Sequence, residues 1–189
     1  MPNASIKITL PTWCSAFIQR KGDLFDTVES RMRFALAIAE KNIQYDGGPF
    51  GAAVFDADHR LLSIGMNLVT PTNCSMLHAE VVALMLAEES LHSYDLSLHG
   101  KQQLELVTTC EPCTMCLGAM IWSGVSSMVS GARDEDARAI GFDEGPKPAH
   151  ITTELEHRGI HAQRDILRDE AISLLQRYQH NGQPIYNPG

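Results

Sequence analysis

The chain has 189 residues, 44% of them apolar and 20% charged, with a formal net charge of −8. That length suits one domain with an extension and a substantial core. The acidic balance argues against unaided binding of nucleic acid, which needs a basic face, and no apolar run approaches the roughly 20 residues of a membrane span. An N-terminus of Pro2, Asn3 and Lys7 lacks the basic-then-apolar layout of a signal peptide. The expected compartment is therefore the cytoplasm, with Cys14 and Cys74 as free thiols.

Residues 1–25 show no clear period and read as an extension anchored by Trp13 and Phe17, with the domain proper over 26–189. From Asp26 to Tyr45, Val28, Met32, Ala35, Ala39 and Ile43 recur at helical spacing, which predicts an amphipathic helix ended by Gly47-Gly48-Pro49. Phe50 to Phe55 and Leu61 to Met66, joined by a polar turn, read as a hairpin. Pro71-Thr72-Asn73 breaks the chain, after which Val81 to Leu91 is apolar almost all round and predicts a buried helix with His78 and Glu80 at its start. Residues 92–103 read as polar loop. Leu104 to Thr109 has the profile of a central strand that delivers Cys110 and Glu111. A helix from Cys113 to Ser123, with Pro112 fitted to its first position, precedes a strand over Val125 to Gly131. Asp134-Glu135-Asp136 opens a further helix with acids where the dipole favours them. A loop over Gly141 to Pro146, a strand near Ile160 to Gln163, a helix carrying Leu167 to Tyr178 and a tail from Pro184 complete the chain. Strands alternating with helices imply a three-layer α/β/α domain with a central five-stranded mixed sheet.

The chemistry concentrates in His78-Ala79-Glu80 and Pro112-Cys113-Thr114-Met115-Cys116. One imidazole and two thiolates are the three protein donors with which a catalytic Zn²⁺ site leaves its fourth position to water. His78, Cys113 and Cys116 are the expected ligands, the two cysteines a helical turn apart on one face. Residues i and i+2 of a helix point in different directions, so Glu80 is better placed to reach a metal-bound water than to chelate beside His78. A closed structural zinc with Cys110 as fourth ligand is the alternative, and for it Glu80 would have no task; a zinc-stapled interaction module is the corresponding non-enzyme reading.

The pairing His-Xaa-Glu with Pro-Cys-Xaa-Xaa-Cys resembles the signature of zinc deaminases that act on nucleobases. From Gly47 to about Pro146 the sequence resembles the cytidine deaminase superfamily, and within it the bacterial guanine deaminases, through Asp46-Gly47-Gly48-Pro49-Phe50, Asn67 eleven residues before His78, Ala119 to Gly124 with Trp122, and the Gly141 to Pro146 string. The resemblance implies one zinc per chain, a nucleobase substrate and a homodimer. It also implies that Asn67 hydrogen-bonds the base, that the Ala79 amide contacts its carbonyl oxygen, that Phe50 and Trp122 enclose the ring, and that Tyr186 closes the pocket from the tail. Core packing is the competing reading of Phe50 and Trp122.

In that reading Glu80 shuttles a proton between water and the ring, and a second carboxylate is needed for the leaving amine. Glu144 is the candidate, with Asp143 as the fallback and a solvated turn acid as the plain alternative. The expected reaction is guanine to xanthine and ammonia, with aminotriazines as secondary substrates. Cytosine, another nucleobase or nucleotide, and an adenosine in RNA remain the alternatives, because the histidine form of the zinc motif serves them all.

Overall fold

The structure is a computed structural model that describes residues 8–21, 25–98 and 103–187. The expectations placed on Pro2, Asn3, Lys7, residues 99–102 and the end of the tail lie outside those residues.

Five strands form one mixed sheet in the order β2-β1-β3-β4-β5. β1 (Gly51–Phe55) pairs antiparallel with β2 (Leu61–Met66) and with β3 (Glu105–Cys110), whereas β3–β4 (Ser127–Ala132) and β4–β5 (His161–Gln163) are parallel. A two-stranded hairpin needs only a short turn, but each parallel pair needs a crossover, and the chain supplies helices there. α1 (Trp13–Lys21) is a helix that the unpatterned N-terminal segment did not announce. Its Trp13 is buried against Phe17 and Tyr45, and Phe17 stacks on Phe34, so the expected anchors do anchor it.

α2 (Val28–Ile43) starts at Thr27, whose side chain accepts from the Ser30 amide while the Ser30 hydroxyl accepts from the Thr27 amide. This reciprocal cap satisfies two donors that no helical carbonyl can reach. α2 lies on one face of the sheet with α8 (Arg168–His180), whose Ala171, Leu174, Leu175 and Tyr178 are buried. The opposite face is covered by α4 (Ala79–Leu91) and α5 (Thr114–Ser123). Gly65 of β2 makes this approach feasible, because a Cβ there would collide with the backbone of α4 at Ala79 and Ala83. The three layers and the mixed sheet are those the alternation of strands and helices implies.

The local detail departs from the expectations at three points. Pro71-Thr72-Asn73 does break the chain before His78, at Asn73 in the left-handed conformation, but at the end of an unexpected single helical turn, α3 (Val69–Thr72). Pro112 precedes the N-cap residue Cys113 instead of occupying the first helical position. α7 (Ile151–His157) lies between α6 (Asp134–Ala139) and β5, and only its Ile151 and Leu155 are buried, too few positions to leave a readable stripe. The acids that open α6 do cap it, since Asp136 accepts from the Arg133 amide.

Candidate active site

Two helix N-termini converge beneath the end of β3. His78 is the N-cap of α4 and Cys113 the N-cap of α5, both extended, and neither uses its side chain to cap its own helix. Cys116 sits one turn into α5 and is fully buried. His78 Nδ1 lies 3.4 Å from Cys113 Sγ and 3.6 Å from Cys116 Sγ. The three donor atoms all fall within 4.8 Å of one another, and among the described residues they form the one cluster of this kind. Cys110 is outside it, with its thiol directed at the Arg133 carbonyl at 3.6 Å.

Electrostatics favour metal binding at these donors. A hydrogen bond from Cys116 and the contact with His78 bring the Cys113 thiol down to about 4 against the opposing effect of burial, so it is a thiolate. Cys116 retains the proton of the pair: sharing with Cys113, then burial, then Glu80 push it well above the usual thiol range. Burial opposes a charge on His78, but its bond to Cys113 and the nearby Glu80 raise it overall. A soft, half-deprotonated His-Cys-Cys set at two helix N-termini suits a tetrahedral N/S-binding metal such as Zn²⁺.

Glu80, the second residue of α4, is buried beside the donor cluster without being one of its three donors. Its Oε1 accepts from Thr108 Oγ1 at 3.1 Å, and its Oε2 from the Cys116 thiol at 3.3 Å. Burial and then the Cys113 thiolate raise its carboxyl above the ordinary carboxylate range. Thr108 was not singled out from the sequence, since nothing but the register of β3 beneath α4 reveals which of two consecutive threonines faces the glutamate.

Glu80, His78 and Cys113 line a small cavity of about 80 Å³ together with Phe50, Asn67, Phe142, Glu144 and Tyr186. It opens into a wider mouth of about 560 Å³ edged by Val69, Met76, Met115 and Asn187. Asn67 is buried, and Asn42 fixes it by donating to both the Asn67 and Gly48 carbonyls, at 2.8 and 3.0 Å. Ala79 is the first residue of α4, so its amide is one of the helix's donors without an intrahelical acceptor. Tyr186 reaches in from the tail: its hydroxyl is buried beside Asn67 and lies where a side chain on Gly48 would otherwise be. Phe142 is in edge contact with Phe50 (5.0 Å between centroids) and Tyr186 (5.1 Å), completing an aromatic wall. Phe142 carries no signal in the sequence, because it stands beside Asp143 in a glycine-bounded loop without a period of its own.

Trp122 is not part of this wall. It is 86% exposed, because it stands six residues beyond Cys116 on α5, roughly 240° round a helix that turns about 100° per residue. The expectation that Trp122 encloses the ring thus finds no support in this chain's cavity, whose wall contains Phe142 and not Trp122.

Glu144 is buried, and desolvation brings its carboxyl up to about 7 despite the opposing pull of Lys147. Asp143 is exposed at the rim of the same cavity, accepting from Arg138 at 3.4 Å and from the Gly145 amide at 2.9 Å. The loop that carries both is docked onto α5 by Thr114, whose amide and hydroxyl donate to the Glu144 carbonyl at 3.1 and 3.2 Å. Asn187 ties it to the tail by accepting from the Asp143 amide and donating to the Gly141 carbonyl, each at 2.9 Å.

Comparison with known proteins places this arrangement. Residues 26–132 match the family model of the cytidine and deoxycytidylate deaminase zinc-binding region, and the chain belongs to that family. It is similar to a solved structure of guanine deaminase from Nitrosomonas europaea, 44% identical over 95% of this chain and 99% of that one, with a TM-score of 0.89. A further solved structure, in complex with 2,6-diaminopurine, is 46% identical over 96% of each chain, with a TM-score of 0.87. Among curated relatives, guanine deaminase of Bacillus subtilis (strain 168) is 38% identical over 60% of this chain and 69% of its own length.

Proposed function

We propose that this protein is a zinc-dependent hydrolytic deaminase of guanine, yielding xanthine and ammonia, with aminotriazines as secondary substrates. The observation that carries the proposal is the pairing of two buried carboxylates, Glu80 and Glu144, on one cavity beside the His78-Cys113-Cys116 donors. Zinc held by those three residues supplies, when bound, a coordinated water whose pKa falls from 15.7 to about 7.

Hydrolysis of a cyclic amidine needs a proton removed from water, a ring nitrogen protonated and an amine released as ammonia. Glu80, its carboxyl raised by burial and anchored by Thr108, takes the water's proton and delivers it to the ring nitrogen. Glu144, whose carboxyl burial raises to about 7 in the metal-free protein, suits the relay of the second water proton from the new hydroxyl on the attacked carbon to the departing amine, since a general acid/base works best with a pKa near the operating pH. Asp143, exposed and bonded to Arg138, is the weaker candidate. The Asn67 side chain and the Ala79 amide supply hydrogen bonds to the base edge, while Phe50, Phe142 and Tyr186 hold a flat ring and keep bulk water out. The relatives named as guanine deaminases, and the similar structure that binds 2,6-diaminopurine, support a purine carrying an exocyclic amine. A homodimer belongs to the same reading, supported by the exposed Trp122 and Met85 on the adjoining helices α5 and α4.

Ammonia release assayed over guanine, 2,6-diaminopurine, ammeline, cytosine, cytidine and an adenosine-containing tRNA stem tests the proposal. Guanine should give the highest kcat/KM. A higher value for cytosine or cytidine would remove the guanine assignment, and a higher value for the RNA would identify the chain with its tRNA-specific relatives, of which the Haemophilus influenzae protein is 34% identical over 60% of this chain and 62% of its own length.

A further inference from the structure

Behind Glu144 lies a buried cation with no part in the chemistry above. Lys147 has a side chain only 9% exposed, which is unusual for a residue normally solvated at its tip. Its Nζ donates to the Pro112 carbonyl at 3.0 Å, and it lies 2.7 Å from Asp134 Oδ1 and 3.5 Å from Glu144 Oε2. An ammonium has three protons to give, and these are three acceptors of different origin: the residue before the metal donor Cys113, the first residue of α6, and the carboxylate on the cavity wall. Glu144 Oε1 makes no hydrogen bond among the described residues, so the oxygen not held by Lys147 is the one left for a ligand in the cavity.

We infer that Lys147 is the positioning residue of the second proton transfer: it clamps Glu144 Oε2 and, through Pro112, sets that carboxylate at a fixed distance from the metal-binding loop. The inference rests on the role given to Glu144 above. The neighbouring cation Arg138 does not duplicate it, since Arg138 grips Asp134, Asp143 and the Gly145 carbonyl. A merely structural lysine joining α6 to the loop would need only the Asp134 and Pro112 contacts. The additional approach to a cavity carboxylate distinguishes the two roles; outer partners of metal ligands typically matter 10- to 100-fold, and the same order is expected of the partner of Glu144.

The surroundings offer a way to separate charge from scaffold. On the side away from Glu144, Lys147 faces an open groove of about 420 Å³ lined also by Asp134, His150 and Arg164. Truncating Lys147 would connect that groove with the place the ammonium occupied, so a small amine could enter and replace it.

The experiment compares zinc-loaded wild type with Lys147→Met, Lys147→Ala and Glu144→Gln, recording zinc content, kcat and KM for guanine. Lys147→Met should keep one zinc per chain and a KM within a few-fold of wild type, with kcat lowered about 10- to 100-fold. Lys147→Ala should recover at least several-fold of its lost kcat in ethylammonium, but not in tetramethylammonium, which cannot donate, or in 1-propanol, which fills the space without charge. Wild-type kcat in Lys147→Met, or loss of zinc and activity together in both variants without amine rescue, overturns the inference. Glu144→Gln separates it from its premise. If that variant is inactive while Lys147→Met is normal, the lysine's role alone fails; if Glu144→Gln turns over at the wild-type rate, the premise fails first and the inference with it.

Discussion

Glu80 carries the most consequential side chain in the cavity, because Thr108 and Cys116 leave it one orientation and its burial raises its proton affinity. Glu80→Gln should retain zinc yet lose about 10²- to 10⁴-fold in turnover, the range of general acid/base catalysis. A zinc-replete Glu80→Gln enzyme with near-normal turnover would revive the structural-zinc reading. Asn67→Ala should cost roughly 5- to 150-fold in kcat/KM for guanine, the equivalent of ~1–3 kcal/mol for a buried hydrogen-bond partner left unpaired. Glu144 makes a separate statement about stability. Its folded value near 7 stands above the ordinary 4.5, so its contribution is full below about pH 4.5 and is lost as pH rises through 7. In the metal-free protein, Glu144→Gln should therefore gain stability over wild type between pH 5 and 8, by at most about 3 kcal/mol at 1.36 kcal/mol per unit. Thermal melts at the two pH values measure it, and a gap that does not widen with pH would contradict the burial argument. At this scale the sequence was most legible where chemistry is local: His78, Glu80, Cys113 and Cys116 announce themselves by spacing. Thr108, Phe142, Lys147 and Asn42 did not, because each takes its place from a neighbour distant in sequence.

At the scale of elements, the site is made by two helix starts, and what each start contributes differs. α4 gives an imidazole, an amide and a carboxylate within three residues, while α5 gives two thiols one turn apart. Because Cys113 is already a thiolate and Cys116 still carries its proton, zinc entry must expel that proton. Titrating metal-free protein with zinc at pH 7 in buffers of different ionisation enthalpy should show release of at least about one proton per chain, with affinity increasing as pH rises. Zinc uptake with no proton released would mean that Cys116 does not bind it. α2 and α8 were legible because their apolar positions recur at helical spacing, and α4 and β3 because they are unbroken apolar runs bounded by turn or polar segments. α7 and the turn of α3 were not, since seven and four residues give a period too little length. The outward place of Trp122 was not legible for another reason: α5 is apolar nearly all round, so its sequence does not say which face looks outward.

For the molecule as a whole, the placing of the donors depends on how closely α4 lies on the sheet, and Gly65 sets that distance. Gly65→Ala should push α4 away at Ala79 and cost about 1–3 kcal/mol in urea unfolding. It should weaken zinc affinity as well, because His78 is the residue just before the helix. Unchanged zinc affinity in a destabilised Gly65→Ala protein would show that the hairpin and the metal site are mechanically independent. The strand order carries a consequence in time. The β1–β2 ladder joins neighbours in the chain, whereas β1–β3 and the parallel β3–β4–β5 half must wait for distant segments, and distant pairings form slowly. His78 follows the early hairpin, but Cys113 and Cys116 lie on the crossover between β3 and β4. In refolding, the three-donor site should close only with the slow phase, so the appearance of chelator-resistant zinc would serve as a clock for completion of the sheet.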